Sequence, residues 1–517
     1  MNRKFSRGLS LVLTMLMLFT FSACSGKGTK GGSDSSAGEN TSEDGVNNGD
    51  IDIDINGGGT DVDNPADSNT GTGSSKSTNK TSSANQTSSG SPAVISVDSK
   101  GINLNGREIK IGLLAYNKAS YEKTQLGKDK MRQIAAIESA YNCKIQLVNI
   151  TDYNALRASI TSGTPNVDIM NGGGPHLISG YMKGSMLQPL DDFGVISFND
   201  SRWEKSVGDA LTFNGKHYGV LGALQGFEKV QYNLVMYYNK SLLKRSSISD
   251  DLYALQKAGN WTWSALEGYA KQITDSSKGI IGFADNQFWG YNGLVTSNGS
   301  DWILKQNGKL VFSPDNANAL EALEFYKNLV DVNALRVSNP NADRTKDMTD
   351  FLNGKVGFMV DYLERIQRGF PNMSDDFGVL YVPKGPKASD YKAQLNWFEF
   401  YSIPKGVKDS KNVAVILNEF GKPMYSADKD KQILESDSLQ YVTDKGSLET
   451  IKGLASKSVL SESMKAPLQW DIDGKENSEG WFAYLYKIAS GQQTAALAVG
   501  EVKDNFNKVL EDTWNIK

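Results

Sequence analysis

The stretch FNGKHYGVLGALQGFEKVQYNLVMYYNKSLL, residues 213–243, decides how the rest of this chain reads. It holds two strand-like apolar runs, residues 218–224 and 234–238, separated by a polar loop. On either side, short strand-like runs alternate with amphipathic helical periodicity, the pattern of an α/β protein. The stretch is therefore expected to carry the chain from one α/β lobe into a second, with a ligand cleft between the lobes.

The bulk numbers agree with more than one lobe. The chain has 517 residues, beyond the roughly 250–300 at which a single core usually splits. A formal net charge of −4, with 22% charged residues, argues against a nucleic-acid partner. Only 2 Cys and 2 His are present. That poverty leaves no disulfide framework, weighs against a four-ligand Cys/His zinc site and calls for no cofactor.

The first residues read as an export signal. Arg3, Lys4 and Arg7 precede an apolar run over residues 9–21, too short to span a bilayer comfortably. The run ends in FSAC, which resembles the lipobox of bacterial lipoproteins, with Phe21 where an aliphatic residue is usual. That resemblance implies a signal peptide over residues 1–23 and lipidation of Cys24. Acyl chains can then tether an extracytoplasmic domain to the cell membrane. Residues 24–101 are dominated by Gly, Ser, Thr, Asn, Asp and Lys, and read as a disordered spacer. Within it, Asp52, Asp54, Asn56, Gly57 and Asp63 follow the spacing of a calcium loop. Asp63 stands where the bidentate Glu belongs and no helix flanks the loop, so a solvated acidic linker is the preferred reading.

Order is expected from Ile102. Residues 108–114 form a strand candidate, and Met131, Ile134, Ala135 and Ile137 lie along one side of a helix ending near Tyr141. In CKIQLV, Cys143, Ile145 and Leu147 share a strand face, so Cys143 reads as a buried thiol. TPNVDIMNGGG, residues 164–174, is a strand running into a glycine turn without the spacing of a phosphate loop. Further on, Thr262 can cap a helix carrying Leu266, Tyr269, Ala270 and Ile273, and Ser313-Pro314 signals another helix start. Residues 354–366 read as a strand running into Tyr362. Two helices close the chain, one around residues 484–488 and one over 494–510.

Taken in order, these segments resemble the extracellular solute-binding proteins of ABC importers, the family that includes maltose-binding protein. NVDIM, GSMLQPLDDF, NGKHYGV with MYYNKSLL, NWTW, SNGSDW, FLNGKVGFM, VPKGP, IPKGVKDS and SGQQTAALA carry the resemblance from about Ile109 to Leu510. It implies a two-lobed periplasmic-binding-protein-like (type II) α/β fold with a ligand cleft. Lobe 1 is expected over about 102–234 and 377–437, and lobe 2 over about 235–376 and 438–517. A return crossing is placed near residues 377–382 and a third around 430–445. Leu221 departs from the Pro the family often has there, which puts ligand specificity in question more than fold.

In open α/β sheets, ligands sit beyond the carboxyl ends of strands. That rule picks Tyr116, Asn117, Asn171 and Gly172 in the first lobe, with Gln225 as a further candidate, and Trp289, Asn292 and Tyr362 in the second. Trp397, Glu399, Trp470 and Trp481 complete the ligand-binding set; no residue is assigned a catalytic or metal role. The 9 Trp and 21 Tyr make an oligosaccharide the leading ligand, because aromatic faces meet the C–H face of a pyranose while acids and amides take its hydroxyls. The implied partners are that solute and ABC permease subunits, for a monomer anchored by lipid on the cell membrane, with a Gram-positive cell expected. The rival readings are a carbohydrate-active hydrolase, for which no marked acid pair is found, and a binding lipoprotein feeding a membrane sensor.

Overall fold

The computed structural model describes residues 95–114, 124–174, 178–222, 224–339, 345–368, 370, 373–463 and 480–513. The signal peptide, Cys24, the calcium-loop spacing, Tyr116, Asn117 and Trp470 lie outside the described residues. Val97 and Ile102 already pack on the first core, and the Tyr141 hydroxyl donates to the Asp98 carbonyl (3.3 Å). Packing thus begins a few residues ahead of the expected start.

Alternating Ile109, Ile111 and Leu113 make β1 (Arg107–Leu114) the centre of the first sheet. Helix α1 (Gln125–Tyr141) follows, capped by the Thr124 hydroxyl, which accepts from the Gly127 amide. It turns at Asn142, in the left-handed region at φ 49°, directly into β2 (Cys143–Ile150). Strand β2 runs parallel to β1, Arg107 opposite Cys143 and Leu114 opposite Ile150. Period-two geometry sends Cys143, Ile145 and Leu147 to the core under α1, and Val148 and Ile150 to the core under α2 (Tyr153–Thr161). Cys143 is 3% exposed, and burial pushes its thiol up from the ordinary value. Parallel strand β3 (Ile169–Asn171) joins the other edge of β1.

The second sheet opens with β4 (Leu234–Asn239), buried on both faces. Helix α3 (Trp263–Ile273) carries the expected Thr262 cap and seats on β5 (Ile281–Asp285). At Gly282 a Cβ would lie 2.0 Å from the Ala270 carbonyl oxygen, so only glycine permits that approach. Next come α4 (Trp289–Ser297) and α5 (Ala317–Asp331); α5 is capped by Asn316 rather than by the expected Ser313. Strands β6 (Leu335–Val337), β7 (Val356–Tyr362) and β8 (Phe377–Leu380) complete the sheet in the order β6-β5-β7-β4-β8, with β4 antiparallel to both neighbours.

This topology corrects two expectations. Residues 377–380 do not cross back: Gly378 pairs with Tyr238 inside the second sheet. The chain reaches the first sheet only at β9 (Tyr401–Ser402), antiparallel to β3, with Tyr401 opposite Asn171. In place of the strand expected over residues 218–224, the described residues form isolated bridges, Val220 with Tyr401 and Gly222 with Trp203. The reason is local: Val220 has only the two-residue β9 to pair with, so no ladder propagates. Helix α6 (Ser410–Phe420) then covers the first sheet beside α1. Helix α7 (Ala427–Ser438) bridges the two cores, with Ile433 packed on Leu126 and Tyr425 and Leu434 in the second core. The chain ends in α8 (Lys445–Lys457), α9 (Trp481–Ala489) and α10 (Ala495–Thr513). No helix among the described residues is long and apolar enough to cross a membrane.

Candidate functional site

Two segments run side by side between the sheets, residues 224–233 going out and 393–400 coming back. Asn233 bridges Leu395, and the Asn396 amide donates to the Tyr232 carbonyl (3.2 Å). The outgoing segment is pinned where it turns. The Gln225 side chain accepts from the Met424 amide (2.7 Å) and donates to the Tyr425 carbonyl (3.1 Å), and Asp430 accepts from the Gly226 amide (2.6 Å). Gln225 therefore fastens the crossing to the start of α7 and does not line the cavity.

Beside these segments lies a cavity of about 110 Å³, lined by Lys130, Trp203, Glu228, Gln231, Tyr232, Trp397, Phe398, Glu399 and Tyr401, among others. Glu399 is held from two sides: Asn171 Nδ2 donates to Oε2 (2.5 Å) and the Tyr232 hydroxyl to Oε1 (3.2 Å). Asn171 is itself oriented, because its Oδ1 accepts from the Gly173 amide (2.8 Å). Gly172 donates to the Phe400 carbonyl (2.8 Å), and a Cβ there would sit 2.0 Å from the Phe400 ring. These two residues stand behind the lining and set the pose of Glu399 and Phe400.

The second lobe meets the site through Tyr362. Its ring lies edge-on to Tyr232 at 6.1 Å and 5.4 Å from Trp289, and its hydroxyl accepts from Asn396 Nδ2 (3.1 Å). The neighbouring Asp361, fully buried, accepts from the Tyr362 amide (2.7 Å), Asn286 Nδ2 (2.5 Å) and Arg365 Nε (3.1 Å). Asp361 and Glu364 hold the Arg365 guanidinium above its ordinary value.

Charge in the cavity is concentrated and partly desolvated. Burial lowers Lys130, against the pull of Glu228. Its ammonium donates to Gln133 Oε1 (3.0 Å) and the Phe420 carbonyl (3.4 Å) and lies 4.7 Å from the Phe420 ring. Burial pushes Glu228 up to about 7, with Lys130 opposing and Glu399 and Asp437 adding. Aromatic faces beside carboxylates and amides can hold a polyhydroxylated solute. Among the described residues no group of acids, His and Cys could hold a metal ion.

The structure thus gathers Asn171, Gly172, Trp397, Glu399 and Tyr362 around one place. Trp289 is 3% exposed and meets that place through its ring contact with Tyr362. Asn292 and Trp481 lie elsewhere. Both are 0% exposed in the second core, where Asn292 accepts from Trp302 Nε1 (3.1 Å) and Trp481 packs edge-on to Phe312 at 5.1 Å. As placed, neither presents surface to a solute. Sequence reasoning passed over Lys130, Trp203, Glu228 and Tyr232. The available signal was the acid in GFEKVQY, set among aromatics in a loop between two apolar runs.

Residues 132–435 match the family model of the bacterial extracellular solute-binding protein. A maltooligosaccharide ABC transporter solute-binding lipoprotein of Streptococcus pneumoniae is 23% identical over 245 residues, 45% of this chain and 54% of the relative. The chain spans about half the length of the curated relatives it matches. The fold superposes on the cyclic α-maltosyl-1,6-maltose binding protein of Arthrobacter globiformis with a TM-score of 0.59 at 16% identity, covering 79% of this chain and 100% of that one. It also superposes on an ABC substrate-binding protein from Listeria monocytogenes in complex with cycloalternan, TM-score 0.54 at 18% identity, covering 80% and 100%. With its two linked α/β sheets and a family match over more than half its length, this chain belongs to the bacterial extracellular solute-binding protein family.

Proposed function

We propose that this protein captures an oligosaccharide outside the cell and delivers it to an ABC importer. The observation that carries this reading is the cavity on the crossing segments, where Trp397 and Tyr232 stand beside a Glu399 fixed from two sides. Rings of that kind stack on pyranose C–H faces, and the fixed carboxylate takes hydroxyl donors. Solute would favour closure of the lobes, because only the closed state contacts it from both sides. The closed form then docks on the permease, and the protein performs no chemical step. In this reading the signal peptide is removed, Cys24 carries the lipid anchor, and a monomer works at the extracytoplasmic face of the membrane of a Gram-positive cell. The maltooligosaccharide relative, the cycloalternan complex and the cyclic α-maltosyl-1,6-maltose binding protein of similar fold support carbohydrate as the ligand class.

Calorimetry of the purified protein against maltooligosaccharides, a peptide mixture and polyamines tests this. Saturable binding of a maltooligosaccharide with no release of shorter sugars is expected. Tight binding of a peptide or polyamine alone would remove the sugar reading, and glycan turnover would point to a hydrolase.

A further inference from the structure

The polar groups of the cavity are not equally committed. Glu399 is tied to Asn171 and Tyr232, and Lys130 to Gln133 and the Phe420 carbonyl. Glu228 differs: among the described residues no group donates to its carboxylate. Trp203, 7% exposed, lines the same cavity, and its indole Nε1 is buried with no acceptor among the described residues. The Gln231 side-chain amide, one turn on from Glu228, is likewise uncommitted within the described residues, while its backbone N–H donates to the Phe227 carbonyl (3.0 Å). A buried donor left unmade costs about 1–3 kcal/mol, so native structures seldom keep one without a purpose. Nor is Glu228 on a loose loop. It sits in the turn Gly226–Lys229, which Asp430 and Gln225 fasten at its start.

We propose that Glu228, with Trp203 Nε1 and the Gln231 amide, forms a hydrogen-bonding subsite that reads the hydroxyl groups of the bound carbohydrate. This rests on the carbohydrate reading above. The carboxylate accepts, the indole donates, and the amide does either, which matches hydroxyls that both donate and accept. The charges facing Glu228 come from each element packed around it: Lys130 on α1, Glu399 on the returning segment, and Asp430 and Asp437 on α7, with Lys229 beside it paired to Asp430 at 3.7 Å. Burial, opposed by Lys130 and reinforced by Glu399 and Asp437, leaves the carboxyl near its transition at neutral pH. Ionised Glu228 accepts charge-assisted bonds about twice as strong as neutral ones, so sugar affinity rises as pH rises through 7.

The experiment is calorimetry of the full chain with maltotetraose at pH 5.5, 7.0 and 8.5, on wild type, Glu228→Gln and Trp203→Phe. Losing one charge-assisted bond predicts a roughly tenfold weaker complex for Glu228→Gln at pH 8.5, with its pH dependence flattened. Trp203→Phe keeps the ring, removes the donor and weakens binding severalfold at every pH. Unfolding midpoints at pH 5.5 equal to wild type establish that both variants fold. Wild-type affinity in Glu228→Gln at pH 8.5, or an unchanged pH profile, overturns the subsite and leaves the carbohydrate reading standing. Absence of maltotetraose binding by wild type at all three pH values overturns both.

Discussion

Replacing Arg365 by Met should cost about 3 kcal/mol of stability, near the low end of the roughly 3–5 kcal/mol seen when one partner of a buried ion pair is removed. The figure follows from the surroundings of Asp361. That carboxylate is fully buried, and Arg365 Nε, at 3.1 Å, is the only cation that pairs with it among the described residues. At an effective dielectric near 20, a unit pair at that distance attracts by about 5 kcal/mol. Arg365 keeps 25% of its side-chain surface in water, which trims the value. Asn286 Nδ2 and the Tyr362 amide remain as donors, but neither carries a charge. Urea titration followed by tryptophan fluorescence at pH 7 measures the loss. The double variant Asp361→Asn, Arg365→Met removes the stranded charge and should recover more than half of it. A single variant within about 1 kcal/mol of wild type, or a double variant no better than the single, would refute this account.

Trp481→Ala should cost about 3–5 kcal/mol of stability, yet leave sugar affinity unchanged at temperatures where the variant is folded. The opposite pattern would restore Trp481 as a ligand residue. Stability should also fall as pH rises from about 5 to 8. Burial raises Asp285 to about 7, against hydrogen bonds from Tyr326 and Gly290, and raises Asp437 to about 6. Between an ordinary carboxyl value near 4 and those raised values the native state holds protons that the unfolded chain has released, so stability drops with pH in that window. For Asp285 alone the drop between pH 5 and 8 is on the order of 2–3 kcal/mol. Denaturation midpoints at pH 5, 6, 7 and 8 check the slope, and a midpoint constant or rising across that range counts against it.

Periodicity carried the fold because it reports burial directly. Cys143, Ile145 and Leu147 share a face in sequence and in the sheet, and Thr262 caps its helix as its spacing implies. What periodicity does not report is which sheet a strand joins. Residues 377–380 look the same whether they cross or pair with Tyr238, and that pairing depends on a segment more than 130 residues earlier. The site was half legible for a related reason. Asn171 sits at the carboxyl end of β3, where the carboxyl-end rule finds it, and Glu399 stands just ahead of β9. Trp289, Asn292 and Trp481 fall in equally suggestive motifs, but whether an aromatic faces solute or core is decided by α5, α9 and the strand carrying Phe312, not by its neighbours in sequence. Glu228 escaped notice because its significance is comparative. It is the acid in the cavity to which no described residue donates, and that requires knowing what holds Glu399.

The antiparallel edge strand Tyr401–Ser402 also governs when this protein can fold. Its partner, Asn171, leaves the ribosome 230 residues before Tyr401 does. At about 5–20 residues per second that interval is on the order of 10 to 50 s. Throughout it the first sheet has an open edge beside β3, and the cover that α6 provides has not yet been made. The first lobe therefore cannot be completed until four-fifths of the chain has been synthesised. Discontinuous lobes thus supply a delay that a sequentially folding domain would lack.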